Sequence, residues 1–216
     1  MDKIITEEAK IDELLTRGVE DIIVKEEMKS LLMSGRQLRI KFGIDPTGAK
    51  IHIGRAVPLR KLREFQKLGH QVVVVIGDFT AQVGDASDKT EKRPIRTRAE
   101  IDENLKDYKS QISKILDISK TEFVYNNDWL SKITFAELTV LAECFSVQQM
   151  LARRNFKDRY EKGTEISLRE FLYPIMQGYD SVAVKADIEI GGNDQLFNLK
   201  AGRIIQEHYN MPKQSI

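Results

Sequence analysis

Cysteine is all but missing from these 216 residues: Cys144 stands alone, so no internal disulfide can form and no cysteine-based metal site is available. It sits among apolar residues at helical spacing, which gives it the role of a small buried hydrophobe. Histidine is scarce as well. His52, His70 and His208 are scattered with no ligand spacing that would suit a structural zinc, and no metal ligand set is predicted. Charge of one sign is also lacking: 34 Lys and Arg face 33 Asp and Glu, a formal net charge of +1. That balance removes the global basic signal of a nucleic-acid binder, so any RNA contact is expected to be a local patch or to lie outside this chain. No apolar run approaches membrane-spanning length, and the acidic first residues lack the apolar centre of a secretory leader. A cytoplasmic location is expected. The sequence has no internal repeat or low-complexity tract. What remains is an ordinary globular composition, 41% hydrophobic and 31% charged, enough for one sizeable core and a small appendage.

The stretch around which the chain is organised is 43–55, Gly-Ile-Asp-Pro-Thr-Gly-Ala-Lys-Ile-His-Ile-Gly-Arg. Just before it, residues 38–44 alternate strictly, with Leu38, Ile40, Phe42 and Ile44 on one side, the period of a half-buried strand. The other side carries Arg39, Lys41, Gly43 and Asp45, a set suited to a polar ligand, and Gly43 removes a side chain where a ligand could approach the backbone. Asp45-Pro46-Thr47-Gly48 breaks the strand, and His52-Ile53-Gly54-Arg55 opens a helix running to about residue 68. Strand, irregular turn and helix N-terminus suit a phosphate or nucleotide. Alone, the stretch is equally compatible with an ordinary strand–loop–helix and an incidental histidine.

Elsewhere the pattern predicts alternating strands and helices. Two short helices occupy 6–35, with Ile11, Leu14 and Leu15 lining one and Met28, Leu31 and Leu32 the other. Gln71–Ile76 is a continuous β-branched run, the mark of a central parallel strand, followed by a long polar loop with Asp85, Lys89, Lys92, Arg93, Arg96 and Arg98. Ile101, Leu105, Tyr108, Ile112, Ile115 and Leu116 predict one long amphipathic helix, and 122–125 a further strand. Capping boxes start helices at Thr134, Ser146 and Ser167. The first two helices, reaching about residue 160, could form a core layer or a dimer face. On the helix through about residue 180, Tyr173, Gln177 and Asp180 share one face: a phenol, an amide and a carboxylate that would make a hydrogen-bonding wall for a small polar ligand. A strand is predicted over 182–190, then Gly191-Gly192-Asn193-Asp194-Gln195 and a helix to about 209. The fold class is α/β, a Rossmann-like parallel sheet with helices on both faces. Residues 1–36 form a helical segment packed on the core, and 37–216 a nucleotide-binding domain with a helical insertion at about 130–180.

Phe42-Gly-Ile-Asp-Pro-Thr47, His52-Ile-Gly54, Gly77-Asp-Phe-Thr80, Gly84-Asp85, Tyr173-x-x-x-Gln177-x-x-Asp180 and Gly191-Gly-Asn-Asp-Gln195 together resemble the catalytic domain of bacterial tyrosyl-tRNA synthetases, class I enzymes with a His-Ile-Gly-His signature. The similarity runs in order from about residue 10 to the end. The resemblance implies that L-tyrosine and ATP react to give tyrosyl-adenylate and pyrophosphate, with Mg2+ bound to ATP, and that tyrosine then passes to tRNA(Tyr). It places Gly43, Asp45, Thr47, His52, Gly54, Gly192 and Asp194 against ATP, with His52 and Thr47 near the reacting phosphates and Gly192 and Asp194 on the ribose. It places Lys41, Thr80, Asp85, Tyr173, Gln177, Asp180 and Gln195 around tyrosine: Asp85, Tyr173 and Gln177 on the ammonium, Asp180 on the phenol hydroxyl. Lys89 and Arg93 match loop cations that meet the pyrophosphate. A homodimer is implied, with the 134–160 helices as its interface.

Four departures accompany it. Arg55 stands where the second signature histidine is expected, keeping a donor but adding fixed charge with a different reach. Lys41 stands where some members place a tyrosine, and Asp88 replaces a loop glycine. The Lys-Met-Ser-Lys-Ser loop and anticodon-binding region that the family carries are absent from this sequence. A synthetase-derived tyrosine or nucleotide-binding module is the alternative; a tryptophan-specific relative fits Gln177 and Asp180 less well.

Overall fold

The computed structural model describes residues 3–46, 50–51, 53–84 and 97–216. Helices α1 (Glu8–Thr16) and α2 (Lys25–Met33) come first, and Ile11, Leu14, Leu15, Met28 and Leu32 on them are buried. Strand β1 (Arg39–Ile44), helix α3 (Ile53–Lys67) and strand β2 (Gln71–Ile76) form a parallel strand–helix–strand unit in which Ile40 lies opposite Val72 and Phe42 opposite Val74. Strand β3 (Thr121–Tyr125) pairs with β2, and the two-residue β4 (Ile188–Glu189) with β1. The sheet is therefore β3-β2-β1-β4, parallel throughout. This is the expected α/β architecture.

A parallel sheet has to be covered on both faces, and the two-residue side-chain period decides which residue meets which cover. Ile40, Phe42, Ile44, Val72, Val74 and Ile76 pack with α1, α2 and Leu59, Leu62 and Phe65 of α3. Val73 and Val75 point to the opposite face and pack with Val184 and Ala186. That second face is covered by α11 (Leu168–Ala183). Between β2 and α11 the chain forms α4 (Thr80–Val83), α5 (Arg98–Leu105), α6 (Tyr108–Ser113), α7 (Asn127–Leu130), α8 (Phe135–Ala142), α9 (Val147–Leu151) and α10 (Arg154–Glu161). Helix α12 (Leu196–His208) packs on α11 at Gly178, where an added Cβ would lie 3.0 Å from the Ala201 backbone.

The capping boxes at Thr134, Ser146 and Ser167 are all formed, each cap side chain accepting from a backbone amide while its N3 Glu or Gln accepts in return. Such a cap stabilises a helix start by about 1 kcal/mol. Three expected boundaries are corrected. The single helix over 101–116 is two, α5 and α6, broken at Asp107 (φ −104°, ψ 0°). Tyr108, Ile112 and Leu116 stay buried beyond the break, so the apolar period survives it and cannot reveal it. The strand over 182–190 shrinks to β4, because α11 continues to Ala183 and the chain turns at Lys185 with φ +52°. The two helices over 134–160 are three, since Arg153 takes an extended conformation (ψ 131°) between α9 and α10.

Candidate active site

The carboxyl ends of parallel strands are where an α/β sheet holds a ligand. Here they open onto a cavity of about 350 Å³. Gly43 and Asp45 reach it from β1, Gly77 and Thr80 from the segment after β2, Asn126 from the residue after β3, and Gly191, Gly192, Asp194 and Gln195 from the turn after β4. Helix α3 contributes Gly54 at its first turn, and α11 contributes Tyr173, Gln177 and Asp180. Four- and three-residue spacing brings those three side chains onto one face of α11.

Asp45 joins two sides of the cavity. Its Oδ1 accepts from the Thr80 hydroxyl at 2.7 Å and its Oδ2 from the Tyr173 phenol at 2.8 Å. Gly77 makes this possible: a Cβ there would stand 1.9 Å from Asp45 Oδ1 and 2.3 Å from Thr80 Oγ1. Asp180, 4% exposed, ends the α11 stripe. The Trp129 indole N–H donates to its Oδ1 at 2.8 Å and the Asn126 amide to its Oδ2 at 3.3 Å. Burial pushes the Asp180 carboxyl up to about 7; the Lys41 charge and the Trp129 and Asn126 bonds pull against that, and the Glu189 charge adds to it. Asn126 also donates to Thr80 Oγ1 at 3.0 Å and accepts from the Phe79 amide, so a single residue spans both sides of the pocket.

The polar row of β1 divides along its length. Gly43 and Asp45 reach the cavity, but Arg39 pairs with Glu122 at 2.9 Å and donates to the Val184 carbonyl at 2.6 Å. Lys41 is fully buried beneath the cavity wall and pairs with Glu189 at 2.9 Å. Its ammonium also donates to the Gln177 backbone carbonyl and the Ser181 hydroxyl, each at 2.8 Å. At the opposite rim, Gln195 donates to Asp194 at 2.9 Å and accepts from Asn198 at 3.0 Å. A second cavity of about 330 Å³ shares Gly54, Pro58, Gly191, Gly192 and Leu199 with the first.

The structure thus brings together Gly43, Asp45, Gly54, Thr80, Tyr173, Gln177, Asp180, Gly192, Asp194 and Gln195. Thr47, His52, Asp85, Lys89 and Arg93 lie outside the described residues, as does the Arg55 side chain, whose backbone belongs to α3. Sequence reasoning overlooked Asn126, Trp129 and Glu189. The first two follow the carboxyl end of β3, and that position is the signal that would have found them.

A family model described as tRNA synthetases class I (W and Y) matches residues 33–216. The chain belongs to this family. Among its relatives, the tyrosine–tRNA ligase of Carboxydothermus hydrogenoformans is 50% identical over 94% of this chain and 50% of its own length. That of Thermotoga maritima is 49% identical over 94% of this chain and 51% of its own length. The chain therefore spans about half the length of the curated relatives it matches. Among solved structures of class I synthetases, a C-terminally truncated mitochondrial tyrosyl-tRNA synthetase of Aspergillus nidulans superposes with a TM-score of 0.76 at 24% identity, covering 90% of this chain and 61% of that one. The tyrosyl-tRNA synthetase of Archaeoglobus fulgidus, solved with L-tyrosine, gives 0.75 at 21% identity over 97% of this chain and 62% of that one. At those identities the superpositions establish the class I fold of the sheet and its helices.

Proposed function

We propose that this chain is the adenylating part of a tyrosine–tRNA ligase. It would activate L-tyrosine with ATP to tyrosyl-adenylate and pyrophosphate, the tyrosine passing to tRNA(Tyr) in the full-length enzyme. The observation that carries the reading is the buried Asp180 carboxylate, held by Trp129 and Asn126 at one end of a stripe whose other members are Gln177 and Tyr173. A carboxylate aimed into a pocket suits a phenol hydroxyl, and a site built around that hydroxyl rejects phenylalanine by roughly 10⁴–10⁵. Tyr173 and Gln177, with Asp85, would receive the ammonium. Gly54 at the start of α3 leaves the helix N-terminus open to phosphates, and Gly192 and Asp194 would face the ribose.

The tyrosine carboxylate would attack the α-phosphorus of ATP in line, expelling pyrophosphate. No protein nucleophile is required, so positioning and electrostatic stabilisation carry the catalysis. His52, Thr47, Arg55, Lys89 and Arg93 are the groups proposed to meet the phosphates. Magnesium travelling with ATP would share their charge. A cytoplasmic homodimer is part of the reading. Phe135, Val140, Val147, Tyr160 and Leu168 on α8–α11 are exposed by 48 to 83%, a concentration of apolar surface suited to a symmetric contact. Among the described residues no helix is long and apolar enough to cross a membrane.

The test is tyrosine-dependent ATP–pyrophosphate exchange, with phenylalanine and tryptophan in parallel, on this chain and its Asp180→Ala variant. Exchange with tyrosine only, lost in the variant, is expected. Tyrosine bound without any exchange would point instead to a binding module.

A further inference from the structure

Beneath the pocket wall lies a polar network that the proposed reaction does not use. β1 and β4 place Lys41 and Glu189 directly opposite each other, both on the face covered by α11. The pair is buried to 0% and 1% exposure. Every donor of the Lys41 ammonium is used: on Glu189 Oε1, on the backbone carbonyl of Gln177 and on Ser181 Oγ. The Glu189 carboxylate accepts from Lys41, from Ser181 at 3.1 Å, from the Gln214 amide at 2.5 Å and from the Gln177 side-chain amide at 3.2 Å. Apart from Gln214 Oε1, which is buried without a partner, the network is left open at Gln177 Oε1, the side-chain oxygen of a residue lining the cavity.

A glutamine amide is two-ended, with an acceptor oxygen on one side and two N–H donors on the other. An ionised carboxylate only accepts, so whichever amide end faces it must be the NH2. We infer that Glu189, held in place by Lys41, is a positioning and specificity-determining residue that turns the Gln177 carbonyl oxygen into the cavity, so that the pocket accepts from an ammonium there. This rests on the tyrosine reading and deepens it. Without Glu189 the amide can present its NH2 instead, which repels an ammonium and suits a carboxylate. The pair is also the reason a lysine can sit inside the sheet: removing one partner would leave a buried charge uncompensated, whereas removing both charges together spares the fold.

The experiment is calorimetric binding of three probes to this chain and to the Lys41→Met/Glu189→Gln double variant. L-Tyrosine carries both charged groups, tyramine only the ammonium, and 3-(4-hydroxyphenyl)propionate only the carboxylate. In the double variant residue 189 can donate or accept, so the amide is no longer oriented. Tyrosine and tyramine are expected to weaken by roughly ten- to a hundredfold, the worth of a hydrogen bond to a charged group, while the propionate is unchanged or tighter. The single Glu189→Gln variant, where it folds, should show the same split. Equal weakening of all three probes would mean a wall that has merely collapsed and would overturn the inference, as would unchanged binding of tyrosine and tyramine. An unaltered chain that binds no tyrosine or tyramine would instead overturn the tyrosine reading and this inference with it.

Discussion

Asp180 should make the fold less stable as pH rises, opposite to the usual behaviour of a carboxylate. Its folded pKa is pushed to about 7, burial being the main cause, against an ordinary 3.8. Between those values the folded chain holds a proton that the unfolded chain releases. The stabilisation is complete below pH 3.8 and is lost as pH rises through about 7, at about 1.4 kcal/mol per pH unit and about 4 kcal/mol in all. His70 acts with the opposite sign. Burial holds its imidazole at about 4 against 6.5, so its contribution is present above pH 6.5 and is lost as pH falls towards 4, about 3 kcal/mol in all. Where the two windows overlap, from pH 4.5 to 6.5, the slopes cancel and the unaltered chain should show a nearly flat profile. Asp180→Asn should expose the His70 slope, with stability rising about 1.4 kcal/mol per pH unit over that range. Urea unfolding at stepped pH measures it, read by the fluorescence of Trp129, the chain's single tryptophan. Its indole N–H donates to Asp180, so the native signal should itself titrate near pH 7 and lose that transition in the variant. A stability difference between the two proteins that does not change between pH 4.5 and 7, with the Trp129 titration intact in Asp180→Asn, would refute the reasoning.

Gly77→Ala should separate Asp45 from Thr80, since the new methyl would occupy space 1.9 Å from the Asp45 carboxylate; calorimetry should show tyrosine binding at least tenfold weaker, one hydrogen bond to a charged group being worth about 1.5–3 kcal/mol. Glu170→Gln should destabilise by about 3–5 kcal/mol in urea, because Arg159, 2% exposed, would lose the carboxylate it grips at 2.6 and 3.0 Å; Arg159→Met with Glu170→Met should recover most of that loss. Phe135→Asp with Val147→Asp should shift sedimentation from dimer towards monomer while leaving the melting temperature of the subunit within a few degrees, because both side chains are exposed by 60% or more.

The sheet was legible because its strands are short, parallel and bounded by glycine or polar breaks. The run at 71–76 is apolar at every position after Gln71, as a strand covered on both faces must be, and the alternation before Gly43 fixes which face of β1 meets α3. Helix starts at Thr134, Ser146 and Ser167 were readable to the residue, because a capping box is a local chemical arrangement with its partner three positions away. Helix interruptions were not. Asp107 and Arg153 break helices without disturbing the apolar period on either side, and the period is all that a sequence pattern offers there. Val182, Val184 and Ala186 read as strand because they stand two apart, the strand period, although Val182 still belongs to α11. The left-handed turn at Lys185 that ends α11 has no glycine to announce it.

The candidate site divides along the same line. Residues that approach the cavity on one element, such as Tyr173, Gln177 and Asp180, are visible from spacing alone, because a helix converts sequence distance into direction. Residues that act across elements are not, since no local pattern records which strand lies beside which. Lys41 shows what that costs. The alternation of β1 correctly put it on the same face as Gly43 and Asp45, but that face changes character along the strand: open to the cavity at the carboxyl end, roofed by α11 two residues earlier. What a lysine does under that roof depends on Glu189, 148 positions later and opposite it in register. Trp129 and Asn126 bear the same relation to Asp180, as donors carried in from the end of β3. The pocket is therefore a wall written on one helix and held in orientation by partners written elsewhere, and those partners become visible only once the strand order is known.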